Sequence, residues 1–320
     1  MISFVIPCYG SELTLPAVVE GIHSAMLDKK ISAYEIVLVS DASPDGVFSV
    51  ITELTKKDSR VQGAELSRNF GQHAALMAGY RMTSGDIVVS MDDDGQTPPE
   101  EIHKLLDVIN QGYDVVYAQY PKAKQSVLRR FGSRVNAWML ETLMGKPKEL
   151  QTTSFFAMRR YVADEVTRYL NSYPYIIGLV LRTTNRIGVV EVNHQPRTIG
   201  TSNYSMRKLL SLWLNGATAF SVKPLRVATI LGLFSAASGF VAVLVIIAHR
   251  MLNPGVPVGW SSTMAVLLFV GGIILLVLGI MGEYMGRMYI TQNAAPQYVI
   301  RSTTDKNWPI VSESNEESVN

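Results

Sequence analysis

The chain has 320 residues, 48% of them apolar and only 18% charged, and the charges are unevenly distributed, so part of it is built for an environment other than water. Its 29 basic and 27 acidic residues leave a net charge of +2, which argues against a polyanion-binding surface and hence against a nucleic-acid partner. One cysteine, Cys8, excludes an intramolecular disulfide and a Cys-rich metal cluster. No signal peptide is expected, because Met1 to Pro7 lacks a basic start and its apolar run is only strand-length.

In chain order, β-rich runs at Ser3–Pro7, Glu35–Ser40, Val61–Leu66, Asp86–Met91 and Asp114–Tyr117 predict strands. The stretches Leu15–Leu27, Val47–Lys57, Gln72–Met82 and Pro99–Gln111 between them have helical length and period. Continuously apolar runs such as Ile36-Val37-Leu38-Val39 suit parallel strands covered on both faces, so the pattern predicts an α/β domain with a mostly parallel sheet. Ligands of open parallel sheets bind beyond the carboxyl ends of the strands. Polar and acidic groups gather at those ends: Pro7-Cys8-Tyr9-Gly10-Ser11-Glu12, then Asp41, then Arg68-Asn69, then Asp92-Asp93-Asp94-Gly95-Gln96. Three consecutive carboxylates repel one another, with Asp92 and Asp94 on one side of an extended segment. A divalent cation with oxygen ligands, Mg²⁺ or Mn²⁺, relieves that repulsion. The competing reading is a solvated acidic turn that starts the helix at Pro99.

Farther on, Val227 to Ala248 and Met251 to Gly282 carry no charge, and a bilayer core of about 30 Å needs about 20 helical residues, so a two-helix transmembrane hairpin is expected over 225–286. The connector at about 249–262 holds turn residues, one permanent cation, Arg250, and an interfacial Trp260. Arg207, Lys208, Lys223, Arg226 and Arg287 flank the outer ends, so the positive-inside rule predicts a multi-pass protein of the inner or plasma membrane with both termini and the 1–204 domain in the cytosol. Residues 205–224 read as an amphipathic juxtamembrane helix, with a core helix as the alternative. Residues 287–311 read as a cytosolic C-terminal segment and 312–320 as a disordered tail.

In order, these motifs resemble family-2 inverting glycosyltransferases of the GT-A type, within them the polyprenyl-phosphate sugar transferases. The resemblance runs from Ser3 to about Arg301. It implies nucleoside binding by Pro7, Tyr9, Glu12 and Asp41, with Arg68 and Asp93 also on the donor side, and metal and diphosphate binding by Asp92, Asp94 and Gln96. It implies a diphosphate loop at Arg197, Ser202 and Asn203, making Asp92, Asp94 and Arg197 the catalytic set. Glu149, Thr152, Thr153, Ser154, Arg129 and Arg130 fall on the acceptor side, with a solvated helix face as the alternative for the two arginines. Asn203 stands where the family usually has Lys, and Leu150, with Glu149 beside it, where an acidic residue usually begins the acceptor segment.

The implied partners are a nucleotide sugar, expected to be a UDP-sugar, polyprenyl (undecaprenyl-type) phosphate and the bilayer. A homo-oligomer and a downstream flippase are compatible with it. The implied product is a lipid-linked sugar for cell-envelope glycans. A polysaccharide synthase with the same donor site and a non-catalytic nucleotide-sugar-binding membrane subunit remain alternatives. Two single residues admit sharper readings: His73 as a base and Cys8 as a nucleophile. A structural His in the first turns of a helix and a small buried Cys are the readings preferred here.

Overall fold

A computed structural model describes residues 1–120, 141, 146–147, 150–193, 223–252, 259–293 and 295–304. The chain divides into two compact units, Met1–Ser205 with Ala295–Asn320, and Met206–Ala294. Arg129, Arg130, Glu149, Arg197, Ser202, Asn203, most of the 205–224 segment and the 312–320 tail lie outside the described residues.

The first unit opens as the periodicity predicts. Strands β1 (Ile2–Cys8), β2 (Tyr34–Ser40), β3 (Val61–Leu66) and β4 (Ile87–Ser90) alternate with helices α1 (Leu15–Asp28), α2 (Val47–Lys57) and α3 (Gln72–Met82). A single 3₁₀ turn, Pro99–Glu101, leads into α4 (Ile102–Asn110), which β5 (Val115–Gln119) follows. β1 pairs in parallel with β2 and with β4, and β2 with β3, so all four carboxyl ends lie on one edge. β1 is buried along its whole length, as a central strand covered on both faces must be. Pro7 sits inside this central strand without breaking it. The β4 partner stops at Val5, so the N–H that proline lacks faces a stretch with no ladder to complete.

Beyond β5 the order departs from a simple parallel series. β6 (Phe156–Arg159) inserts antiparallel between β4 and β5, helices α5 (Arg160–Thr167) and α6 (Ile176–Thr183) follow, and β7 (Ile187–Glu191) joins β5 in parallel. A last strand, β8 (Ile300–Thr303), pairs antiparallel with β3, giving the order β7-β5-β6-β4-β1-β2-β3-β8 among the described residues. α3 lies close on the sheet because Gly79 has no side chain: a Cβ there would stand 2.3 Å from Val5 Cγ1.

The second unit contains α7 (Lys223–Leu252, 30 residues) and α8 (Trp260–Gln292, 33 residues). At 1.5 Å per residue each is longer than a bilayer core. Among the described residues, Phe269–Gln292 is the one stretch both long and apolar enough to cross a membrane, with a mean hydropathy of 1.8, and Ala228–Val241 is a shorter apolar stretch. The two expected spans are therefore matched by two long helices, of which one meets the criterion for a crossing.

Candidate active site

The loops leaving β1 and β2 interlock. Gly10 N–H donates to Ser43 Oγ (2.8 Å), Glu12 N–H donates to Asp45 Oδ2 (3.0 Å), and Glu12 Oε2 accepts from Gly46 N–H (2.9 Å) at the start of α2. Ala42, at φ 48°, takes a left-handed conformation unusual for a residue with a Cβ and turns the chain sharply after Asp41. Asp41 is buried and joins the third loop to the second: its carboxylate accepts from Phe70 N–H (2.7 Å) and Gly71 N–H (2.8 Å). Burial outweighs those two bonds and raises its pKa above the usual carboxylate range. Tyr9 stands 53% exposed on the same edge, and the Arg68 guanidinium lies 4.6 Å over the Phe70 ring.

The three consecutive aspartates have three different surroundings. Asp92 is held from both sides, Oδ1 accepting from Gln72 Nε2 (3.0 Å) at the start of α3 and Oδ2 from the hydroxyl of Ser154 just before β6. Burial, together with the neighbouring carboxylates of Asp94 and Asp93, raises its pKa to about 6. Asp93 turns toward β1, accepting from Tyr9 N–H (2.9 Å) while its carbonyl accepts from the Thr14 hydroxyl (2.7 Å). Asp94 bends over its own turn, with Oδ1 accepting from Gln96 N–H (3.0 Å) and Gly95 at φ 72°.

Among the described residues, no group of three or more His, Cys, Asp or Glu side chains is placed to hold a metal ion. The donor set at Asp92, Asp94 and Gln96 is oxygen only. It fits Mg²⁺ or Mn²⁺, which take one or two carboxylates and complete their shells with substrate phosphate and water.

Of the residues expected on the acceptor side, Ser154 contacts the acidic motif directly. The Thr153 hydroxyl donates to Ala118 O (2.8 Å) and lies 2.9 Å from Phe155 O, tying the segment to β5, and Thr152 is half-buried. Leu150 is buried and apolar, and its carbonyl accepts from Lys146 Nζ (2.5 Å), so no proton acceptor occupies the position in direct register. His73 lies in the first turn of α3 with its ring edge-on to Tyr175 at 5.1 Å between centroids, and burial lowers its pKa to about 4. It is neutral at pH 7 and packs as an aromatic ring. Cys8 is buried with its thiol pKa raised by that burial, which removes the nucleophile reading. The sequence does not single out Gln72, Ser43 and Asp45 as site residues. Ser43 and Asp45 have a signal in the Asp41-Ala42-Ser43-Pro44-Asp45-Gly46 turn composition, whereas Gln72 looks like any first residue of a helix.

A mostly parallel sheet whose carboxyl edge joins an exposed tyrosine, a buried aspartate and an acidic triplet defines an α/β domain with its candidate site where open parallel sheets bind ligands. The chain belongs to glycosyl transferase family 2: the model of that family matches residues 3–167, and the model of a GtrB C-terminal hairpin matches residues 223–288. It is 32% identical to the uncharacterized glycosyltransferase YkcC of Bacillus subtilis, over 94% of this chain and 93% of that one. It is 33% identical to an undecaprenyl-phosphate 4-deoxy-4-formamido-L-arabinose transferase of Yersinia enterocolitica, over 94% and 92%. A solved structure of Mycobacterium tuberculosis glucosyl-3-phosphoglycerate synthase, in complex with Mn²⁺, UDP-glucose and phosphoglyceric acid, shares the fold with a TM-score of 0.52 at 20% identity, over 68% of this chain and 77% of that one.

Proposed function

We propose that this glycosyltransferase moves a sugar from a nucleotide donor, a UDP-sugar, to the phosphate of an undecaprenyl-type lipid at the cytosolic membrane face, with inversion at the anomeric carbon. The observation that carries the reading is the acidic motif on the carboxyl edge of a sheet whose last strand, β8, follows two long apolar helices in the chain. Because β8 lies in the same sheet as β1–β4, helices between them that cross a membrane do so as a pair, returning the chain to the side it left. The relatives named for undecaprenyl-phosphate transfer over nearly the whole chain support the acceptor, and the UDP-glucose complex of the structural neighbour supports the donor.

Tyr9 and Asp41 hold the nucleoside and Arg68 lies on the donor side. Asp94, Gln96 and Asp92 would hold the cation, Asp92 being fixed by Gln72 and Ser154. Arg197, outside the described residues, is assigned to the diphosphate by the family resemblance of its segment. A bound Mg²⁺ or Mn²⁺ supplies Lewis-acid stabilisation of the leaving diphosphate in place of a proton donor. The phosphate acceptor already carries nearly two negative charges at neutral pH, so it needs positioning and no general base, in keeping with a buried leucine at position 150. Purified protein assayed with donor and undecaprenyl phosphate should stop in EDTA and recover with Mg²⁺ or Mn²⁺; full turnover in EDTA contradicts the metal assignment.

A further inference from the structure

The carboxyl edge of the sheet carries two blocks of loop. The loops after β1 and β2, cross-linked by the bonds of Gly10 to Ser43 and of Glu12 to Asp45 and Gly46, carry Tyr9, Glu12 and Asp41. The acidic triplet after β4 is the other block. Asp93 joins the two at separate atoms: its carboxylate accepts from Tyr9 N–H (2.9 Å), and its carbonyl accepts from the Thr14 hydroxyl (2.7 Å). Its neighbours are engaged elsewhere, Asp92 with Gln72 and Ser154 and Asp94 with Gln96 N–H.

Thr14 stands at the N-cap of α1, where a threonine hydroxyl ordinarily accepts from the N–H of the second or third helical residue. Here it makes no such bond. The second helical residue is Pro16, which has no N–H to offer, and the hydroxyl instead reaches a carbonyl 79 positions along the chain. Ser11 O lies farther from it, at 3.4 Å, so the shorter bond to Asp93 O takes the hydroxyl proton. The helix forgoes a side-chain cap, and the hydroxyl serves the acidic motif.

Thr14 and Asp93 thereby fix the spacing between the end of the site that the donor reading gives to the nucleoside and the end it gives to the cation. A nucleoside diphosphate bound with a cation touches both ends at once. A ligand that bridges two rigidly spaced subsites gains over its parts bound separately, and a site whose spacing drifts loses much of that gain.

We propose that Thr14 is a positioning residue for the donor: acting through Asp93, it holds the nucleoside end and the cation end at the spacing of a diphosphate. The assignment rests on the donor reading above. A second path braces the same two ends, from Asp41 to the N–H groups of Phe70 and Gly71 and from Gln72 to Asp92. Loss of the Thr14 hydroxyl therefore loosens the spacing without abolishing it.

The test measures binding to the full chain in detergent by calorimetry, with three probes: uridine, Mn²⁺, and UDP in the presence of Mn²⁺. The wild type should bind UDP with Mn²⁺ far more tightly than uridine. Thr14→Val, which keeps the shape and removes the hydroxyl, should weaken UDP about five- to tenfold, as loss of one hydrogen bond does, and leave uridine and Mn²⁺ alone within about twofold. Thr14→Ala, also without a hydroxyl, should match it, and Thr14→Ser, which keeps one, should restore UDP binding. Unchanged UDP affinity in both hydroxyl-free variants overturns the proposal, as does an equal loss in Thr14→Ser. Equal weakening of all three probes overturns it too, because that marks a general loss of structure. These outcomes leave the donor reading standing. If the wild type binds UDP with Mn²⁺ no better than uridine, the donor reading itself fails and the proposal falls with it.

Discussion

Asp92 shows how neighbours set the state of a single carboxylate. Left to burial and its two acidic neighbours it would resist ionisation; Ser154 and Gln72 counter that by donating to its two oxygens and fixing its plane. A hydrogen bond to a charged group contributes about 1.5–3 kcal/mol. Ser154→Ala should therefore lower kcat by roughly 10- to 150-fold with the fold intact, and Ser154→Thr, which keeps the hydroxyl, should restore most of it. Steady-state kinetics of the two variants decides the point, and equal losses in both would show that the hydroxyl is not what matters. The acidic triplet itself is legible in the sequence because three adjacent carboxylates at a strand end demand a reason. Its partners are not, since Ser154 lies 62 positions away and meets Asp92 only through the antiparallel insertion of β6.

At the scale of elements, α2 and α3 fall at their predicted bounds, and β3 does too, because each has a clear period and a turn at either end. The four residues of β6 and of β8 carry too little pattern to declare themselves, and β8, with Arg301 and Ser302 in its middle, becomes a strand only because β3 offers an open edge. Close packing of α3 on β1 depends on Gly79. Gly79→Ala puts a methyl into Val5 and should destabilise the domain by about 1–3 kcal/mol, read from the denaturant midpoint. A wild-type midpoint would mean that the helix shifts without cost.

At the amino end of the sheet, after α2, the Arg60 guanidinium bonds both oxygens of Asp58 and holds its pKa down to about 2. A carboxylate whose pKa is lowered by folding stabilises the fold above its unfolded value of 3.8 and loses that contribution as the pH falls toward 2. Asp58→Asn should therefore cost about 1 kcal/mol or less at pH 7, and the difference from wild type should shrink to nothing over that acid window, measured by thermal unfolding at a series of pH values.

For the whole molecule, the return of the chain to the sheet as β8 makes the proposed membrane topology testable at two positions. A cysteine at Val256 in a Cys8→Ser background should react with an impermeant thiol reagent from outside the cell, and one at Ser314 only after permeabilisation. Protection of Val256 together with ready labelling of Ser314 would put the nucleotide-binding edge on the wrong side of the membrane for a cytosolic donor. The two long helices of the second unit are the most legible part of the sequence, since each falls on a long uncharged stretch, whereas the sugar is the least legible, because sugar hydroxyls are read by a few side chains scattered over several loops. The most direct measurement offers purified protein a panel of labelled nucleotide sugars with undecaprenyl phosphate and follows label into the organic phase. One UDP-sugar should yield a lipid-linked product with the wild type and none with Asp94→Asn; no lipid-linked label from any donor, with the protein folded and a divalent cation present, contradicts the account.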